Sequence, residues 1–165
     1  MNYLICTLII GLAATAVMDI WGFVRKPLLG LAAADYRFVG RWVSYFARGK
    51  FHHASIARTP PVAGELTAGW MAHYLLGLSF AAVFFLCVGP AWVARPTLAP
   101  ALAFGLVTVL VPLGVMQPSM GMGFAASRTP RPGAARVQSL ITHVIFGFGL
   151  YVGGWAAHFY YSTGD

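Results

Sequence analysis

Residues 3–24 read YLICTLIIGLAATAVMDIWGFV, a run that holds one acid, Asp19, and no base. Some 20 mostly apolar residues in a helix cross the roughly 30 Å hydrocarbon core of a bilayer. Three more stretches meet that requirement, residues 62–88, 97–117 and 134–160. The chain as a whole is 59% hydrophobic and 9% charged. A soluble domain has about a quarter of its residues charged, and this one would expose aggregating apolar patches. The fold class follows: an all-α integral membrane protein, a single domain over residues 1–165 forming a four-helix transmembrane bundle.

Charge sets the expected orientation. No Lys or Arg precedes the first apolar run, whereas Arg25 and Lys26 follow it directly, the order for a first span with a translocated N-terminus rather than a cleaved secretory signal. Residues 25–61 hold seven bases and one acid, Asp35, while residues 89–96 hold only Arg95. Arg128 and Arg131 lie in the third connection and Arg136 just inside the last span. The positive-inside rule then makes the first and third connections cytoplasmic and puts both termini on the outer side. The net charge of +7 is read as topology, and no nucleic-acid partner is expected. Cys6 and Cys87 both sit in apolar stretches, which offers no disulfide framework.

The first connection contains DYRFVGRWVSYFARG, residues 35–49, in which Phe38, Val39, Trp42, Tyr45 and Phe46 share one helical stripe and Arg37, Arg41, Ser44 and Arg48 the other. Asp35 can cap its start and Gly49 its end. An aromatic face opposite arginines predicts an interfacial amphipathic helix over residues 35–48, with Arg37, Arg41, Trp42 and Arg48 against anionic lipid headgroups.

Shifting the chain by 70 residues superimposes Arg58/Arg128, Thr59/Thr129, Pro60/Pro130, His73/His143 and Gly77/Gly147, with Gly69 opposite Ser139. Arg, Pro and His are uncommon at membrane positions, so the match points to a tandem two-span repeat. Units with an even number of spans insert the same way up, as a parallel repeat. A weaker echo, AVMDIWG against GVMQPSMG, pairs Asp19 with Gln117. In each copy the Thr is expected to N-cap a span whose first residue is the Pro. Gly69, His73 and Gly77 share one helix face, as do Ser139, His143 and Gly147, and small neighbours place an imidazole in a helix interface.

Asp19, Glu65, His73, Gln117 and His143 are therefore the candidate ligand or proton-site residues, with Arg25, Arg41, Arg58 and Arg128 as ion-pair candidates for the acids. His73 and His143 are also candidate metal or haem ligands. The methionines of MQPSMGMG suit Cu(I) but are ordinary gap-fillers beside glycine. His52 and His53 read as interfacial. No nucleophile elbow or HExxH pattern appears, and no enzymatic activity is expected.

The succession ATAVMDIWG, GRWVSYFARGKFHH, RTPPVAGELTAGWMAHY, MQPSMGMGFAASRTPRP and LITHVIFGFGLYVGGW resembles the bacterial four-span proteins grouped as domain-of-unknown-function family 2938. The resemblance implies a small multi-pass protein of the bacterial inner membrane and brings no catalytic residue. Three functions follow from the residues: transport or permeation through a protonatable site, a non-catalytic partner or assembly subunit acting with itself or another membrane protein, and a haem- or metal-binding redox module.

Overall fold

The computed structural model describes residues 2–30 and 34–163. Among them are four helices long and apolar enough to cross a membrane, Tyr3–Leu29, Glu65–Val88, Leu98–Ser119 and Pro132–Ser162, here the first to fourth spans, and no strand. The protein is thus an all-α membrane protein. Asn2 opens the first span by accepting from the N–H groups of Leu4 and Ile5. Gly30 closes it in a left-handed conformation (φ 66°), its N–H bonded to the Lys26 carbonyl. The third span contains a π-helical turn over Pro112–Met116, where the Gln117 N–H reaches back to the Pro112 carbonyl. Proline inside a helix lacks a donor and crowds the preceding turn, and the wider turn falls between two of them, starting at Pro112 and ending just ahead of Pro118.

The chain divides into two compact units, the first comprising Met1–Ala33, Tyr74–Thr108 and Thr142–Asp165, the second Ala34–His73 and Val109–Ile141. The first unit has a core of Cys6, Ile10, Ala14, Phe84, Phe146 and Leu150 among others. Apolar side chains gain little by leaving lipid for protein, so close backbone approach carries the packing. A Cβ on Gly105 would lie 2.5 Å from the Gly147 Cα, one on Gly153 2.7 Å from the Ile10 Cα, and one on Gly77 would strike the Thr15 hydroxyl. A short helix, Pro90–Ala94, follows the second span, and its Trp92 Nε1–H donates to the Thr97 carbonyl at 3.1 Å.

In the second unit Tyr36–Ser44 is an α-helix with Asp35 as N-cap, continued by a 3₁₀ turn, Tyr45–Arg48, that ends at Gly49 (φ 68°). It lies directly on the start of the second span, because a Cβ on Gly40 would strike the Glu65 carbonyl and one on Gly69 the Tyr36 carbonyl. The rest of the first connection docks on the end of the third span: the His53 N–H donates to the Ser119 carbonyl at 2.8 Å and the Ile56 N–H to the Met120 carbonyl at 3.0 Å.

The Arg-Thr-Pro segments do not start the spans. The second span begins at Glu65 and the fourth at Pro132. Thr59 closes the 3₁₀ turn Ile56–Arg58 with its N–H on the Ile56 carbonyl, whereas Phe124–Ala126 is closed by the Ser127 N–H and Thr129 sits in the next turn, its N–H on the Ala126 carbonyl. The hydroxyls are spent on the same turns, Thr59 on the Ser55 carbonyl and Thr129 on the Ala126 carbonyl, so neither is left to cap a helix.

Leucine at Gly105 would have to displace the fourth span, and overpacking of this kind costs about 1–3 kcal/mol. Gly105→Leu is expected to lower the melting temperature of the detergent-solubilised protein. Gly22→Leu, at a position with nothing within 4 Å, is expected to leave it unchanged.

Candidate functional site

In the second unit the polar framework begins with Arg41 and Glu65. Arg41 grips the carboxylate with two prongs, Nε to Oε2 and Nη2 to Oε1, each at 2.8 Å. Its Nη1 donates to the carbonyls of Ile56 and Thr59 at 3.1 and 2.9 Å, and the Val62 N–H donates to Glu65 Oε2 at 3.0 Å. Both side chains are about nine-tenths buried, at 10% and 11% exposure. Arg41 thus spends four of its five N–H donors inside the protein, and Glu65 takes Arg41, one of the ion-pair candidates read from the sequence. Arg37 is exposed and forks onto Asp35, its Nη2 2.7 Å from Oδ2. The guanidinium's hydrogen bond holds the Asp35 carboxyl below its usual range.

His73 is half-buried, with Nε2 3.1 Å from the Tyr36 hydroxyl and its ring 4.5 Å from the Tyr36 ring and 5.8 Å from that of Trp70. A haem or metal at Nε2 would have to displace the tyrosine. Gln117 donates through Nε2 to the Ser139 hydroxyl at 3.4 Å, and its Oε1 is buried with no hydrogen-bond partner among the described residues.

His53, read as interfacial from its sequence, is 1% exposed, whereas His52 is exposed. The Thr59 hydroxyl donates to the Ser55 carbonyl, so in its 3.0 Å bond to His53 Nδ1 the ring N–H is the donor. Nε2 therefore carries a bare lone pair, buried with no partner among the described residues. Burial first, then the charges of Lys50 and His52, push the His53 pKa below its usual 6.5.

The first unit holds the acid that lies inside the first span. Asp19, buried at 9% exposure inside the first span, accepts from the Tyr74 hydroxyl at 2.9 Å. Arg25, also buried, places Nη1 3.5 Å from the Thr142 hydroxyl. His143 belongs to this unit and is half-buried, whereas His73 belongs to the second. Sequence reasoning missed both tyrosines, Tyr36 and Tyr74, although a hydroxyl beside a candidate histidine was a usable signal. Among the described residues no three His, Cys, Asp or Glu side chains gather closely enough to hold a metal ion. An apolar groove of about 540 Å³, lined by Tyr3, Thr7, Phe85, Leu86 and their neighbours, contains none of these candidates.

A family model described as protein of unknown function (DUF2938) matches residues 8–157. The chain belongs to that family. No curated protein and no solved structure matches the chain.

Two predictions follow the geometry. Arg41→Met strands the Glu65 carboxylate, and breaking one side of a buried pair costs about 3–5 kcal/mol. Thermal unfolding is expected to show that loss, and Arg41→Met with Glu65→Leu to recover much of it. For His53 the lowered folded pKa means the unfolded chain binds the proton first as pH falls. Its contribution is present above about pH 6.5 and is lost as pH drops through the lowered value. Melting temperatures are expected to fall below about pH 6.5, less steeply in His53→Asn, which keeps a donor near the Nδ1 position. Superimposable profiles would exclude His53 as the cause.

Proposed function

We propose that this family member is a small transport or permeation protein whose proton or cation site is centred on Asp19. The supporting observation is a carboxylate buried within a membrane span and oriented by a tyrosine hydroxyl 2.9 Å away. Acids at span depth are costly and mark ion or proton pathways. Tyr74 can donate to the charged carboxylate and accept from the protonated one, so it can hold the group in place in both states. Of the other sequence candidates, Gln117 and the two histidines stand as secondary polar groups, and Glu65 is set aside by its pairing with Arg41.

The same reading places the protein in a bacterial inner membrane with both termini outside. Eight of the eleven bases fall in the second unit, including the first and third connections, which supports a cytoplasmic position for them. The redox reading is the weaker one, since the Tyr36 hydroxyl occupies Nε2 of His73.

Proteoliposomes under imposed pH and monovalent-cation gradients test the proposal. Wild-type protein is expected to carry a pH-dependent flux, Asp19→Asn to lose it roughly tenfold or more, and Tyr74→Phe to move its pH midpoint. Wild-type vesicles no leakier than empty ones under every gradient would overturn the transport reading and favour the assembly role. A folded Asp19→Asn protein with undiminished flux would remove Asp19 from the pathway.

A further inference from the structure

The second unit contains two acids, Asp35 and Glu65, and each is taken by an arginine of the same helix, Arg37 or Arg41. The cations that follow that helix have no such partner among the described residues. Arg48 and Lys50 instead both lie over the ring of Tyr45, the guanidinium carbon 4.9 Å and the ammonium nitrogen 5.7 Å from its centroid. Gly49 between them takes φ 68°, and the Lys50 N–H returns to the Tyr45 carbonyl at 3.2 Å, so the chain doubles back at that residue. Tyr45 is a fixed platform: it is 7% exposed, its hydroxyl donates to the Pro60 carbonyl at 3.2 Å, and its ring meets that of His53 at 5.1 Å.

Beside the cations the same turn presents an apolar edge. Phe51 is 60% exposed, its ring 5.0 Å from Phe46, which in turn meets Trp42 edge-on at 4.9 Å. Trp42 Nε1–H donates to the Phe51 carbonyl at 2.8 Å and fixes where that residue emerges. Two like charges gathered at one ring repel each other, and an exposed phenyl group leaves apolar area in water. One environment relieves both, the headgroup–acyl boundary of an anionic bilayer, where phosphates meet cations and aromatic rings bury among the upper chain segments. A soluble phosphate would answer only the charges.

We propose that Arg48 and Lys50, gathered about Tyr45 and flanked by exposed Phe51, form a headgroup-binding turn for anionic phospholipids. The site is narrower than the helix face read from sequence, since Arg37 and Arg41 are committed to acids within the protein. It stands independently of the transport reading.

Native mass spectrometry of the full-length protein in detergent tests it, with added phosphatidylglycerol or cardiolipin against phosphatidylcholine. Wild type is expected to retain the anionic lipids preferentially. Arg48→Ala with Lys50→Ala is expected to cut that retention roughly tenfold or more, and Arg37→Ala to leave it intact. Phe51→Ser is expected to weaken retention while leaving the headgroup preference unchanged. Should the alanine pair fail to fold, Arg48→Gln with Lys50→Gln keeps the side-chain stems and is expected to show the same loss. Displacement of the lipid by millimolar inorganic phosphate, or undiminished anionic retention in the folded double variant, would overturn the proposal.

Discussion

A carboxylate buried at the mouth of a membrane span must be answered by donors, and the answer to Glu65 organises the second unit. Taking an ion pair out of water costs several kcal/mol per ion unless geometry and further hydrogen bonds repay it. Here both carboxylate oxygens and four of the five guanidinium N–H groups are bonded. Glu65 takes two prongs of Arg41 and the Val62 N–H, and the remaining guanidinium nitrogen serves the Ile56 and Thr59 carbonyls. One interaction therefore holds the helix Tyr36–Ser44, the turn Ile56–Arg58 and the approach to the second span. It also demands glycine at positions 40 and 69, since the arginine reaches the carboxylate only if the two backbones touch. The Arg-Thr-Pro turn belongs to the same arrangement, and its carbonyls, rather than a helix cap, are what Arg41 uses.

The first unit rests on a different constraint. Within lipid, the contact between helices is made by van der Waals fit, and small residues set how near two backbones come. Gly77 lets the second span rest on Thr15 of the first. Asp19 follows Thr15 by four residues and Tyr74 precedes Gly77 by three, so both lie one turn away on the same faces of their antiparallel helices. The Tyr74–Asp19 bond of 2.9 Å is thus set by the glycine contact beside it. A larger residue at position 77 would separate the hydroxyl from the carboxylate even though neither group had changed.

The spans were legible because an apolar run of that length has few other outcomes, yet their ends were not. Residues 62–64 are apolar enough to read as helix, but the Glu65 side chain folds back to the Val62 N–H and starts the span later. Pro112 and Pro118 lie inside the third span, where the π-turn carries it on to Ser119. Helical periodicity placed Arg37, Arg41 and Arg48 on one stripe and could not say which of them a distant acid would claim. Glu65, twenty-four residues on, turns Arg41 inward. The burial of His53 was hidden for the same reason, since it depends on the end of the third span docking beside it. Sequence spacing reports faces along one helix, whereas these residues are decided by partners on another element.

The repeated positions also separate scaffold from chemistry. Gly77 approaches the span that precedes it, at Thr15, and Gly147 does the same at Gly105, so these two glycines, 70 residues apart in sequence, both serve close helix approach. The polar groups do not follow. The offset of 70 that pairs those glycines puts Val144 opposite Tyr74, and the echo between the first and third spans puts Gln117 opposite Asp19. A valine cannot orient a proton, and an amide cannot gain or lose one near neutral pH. The contact of Gly77 with Thr15 therefore stands beside an ionisable carboxylate, Asp19, held by Tyr74.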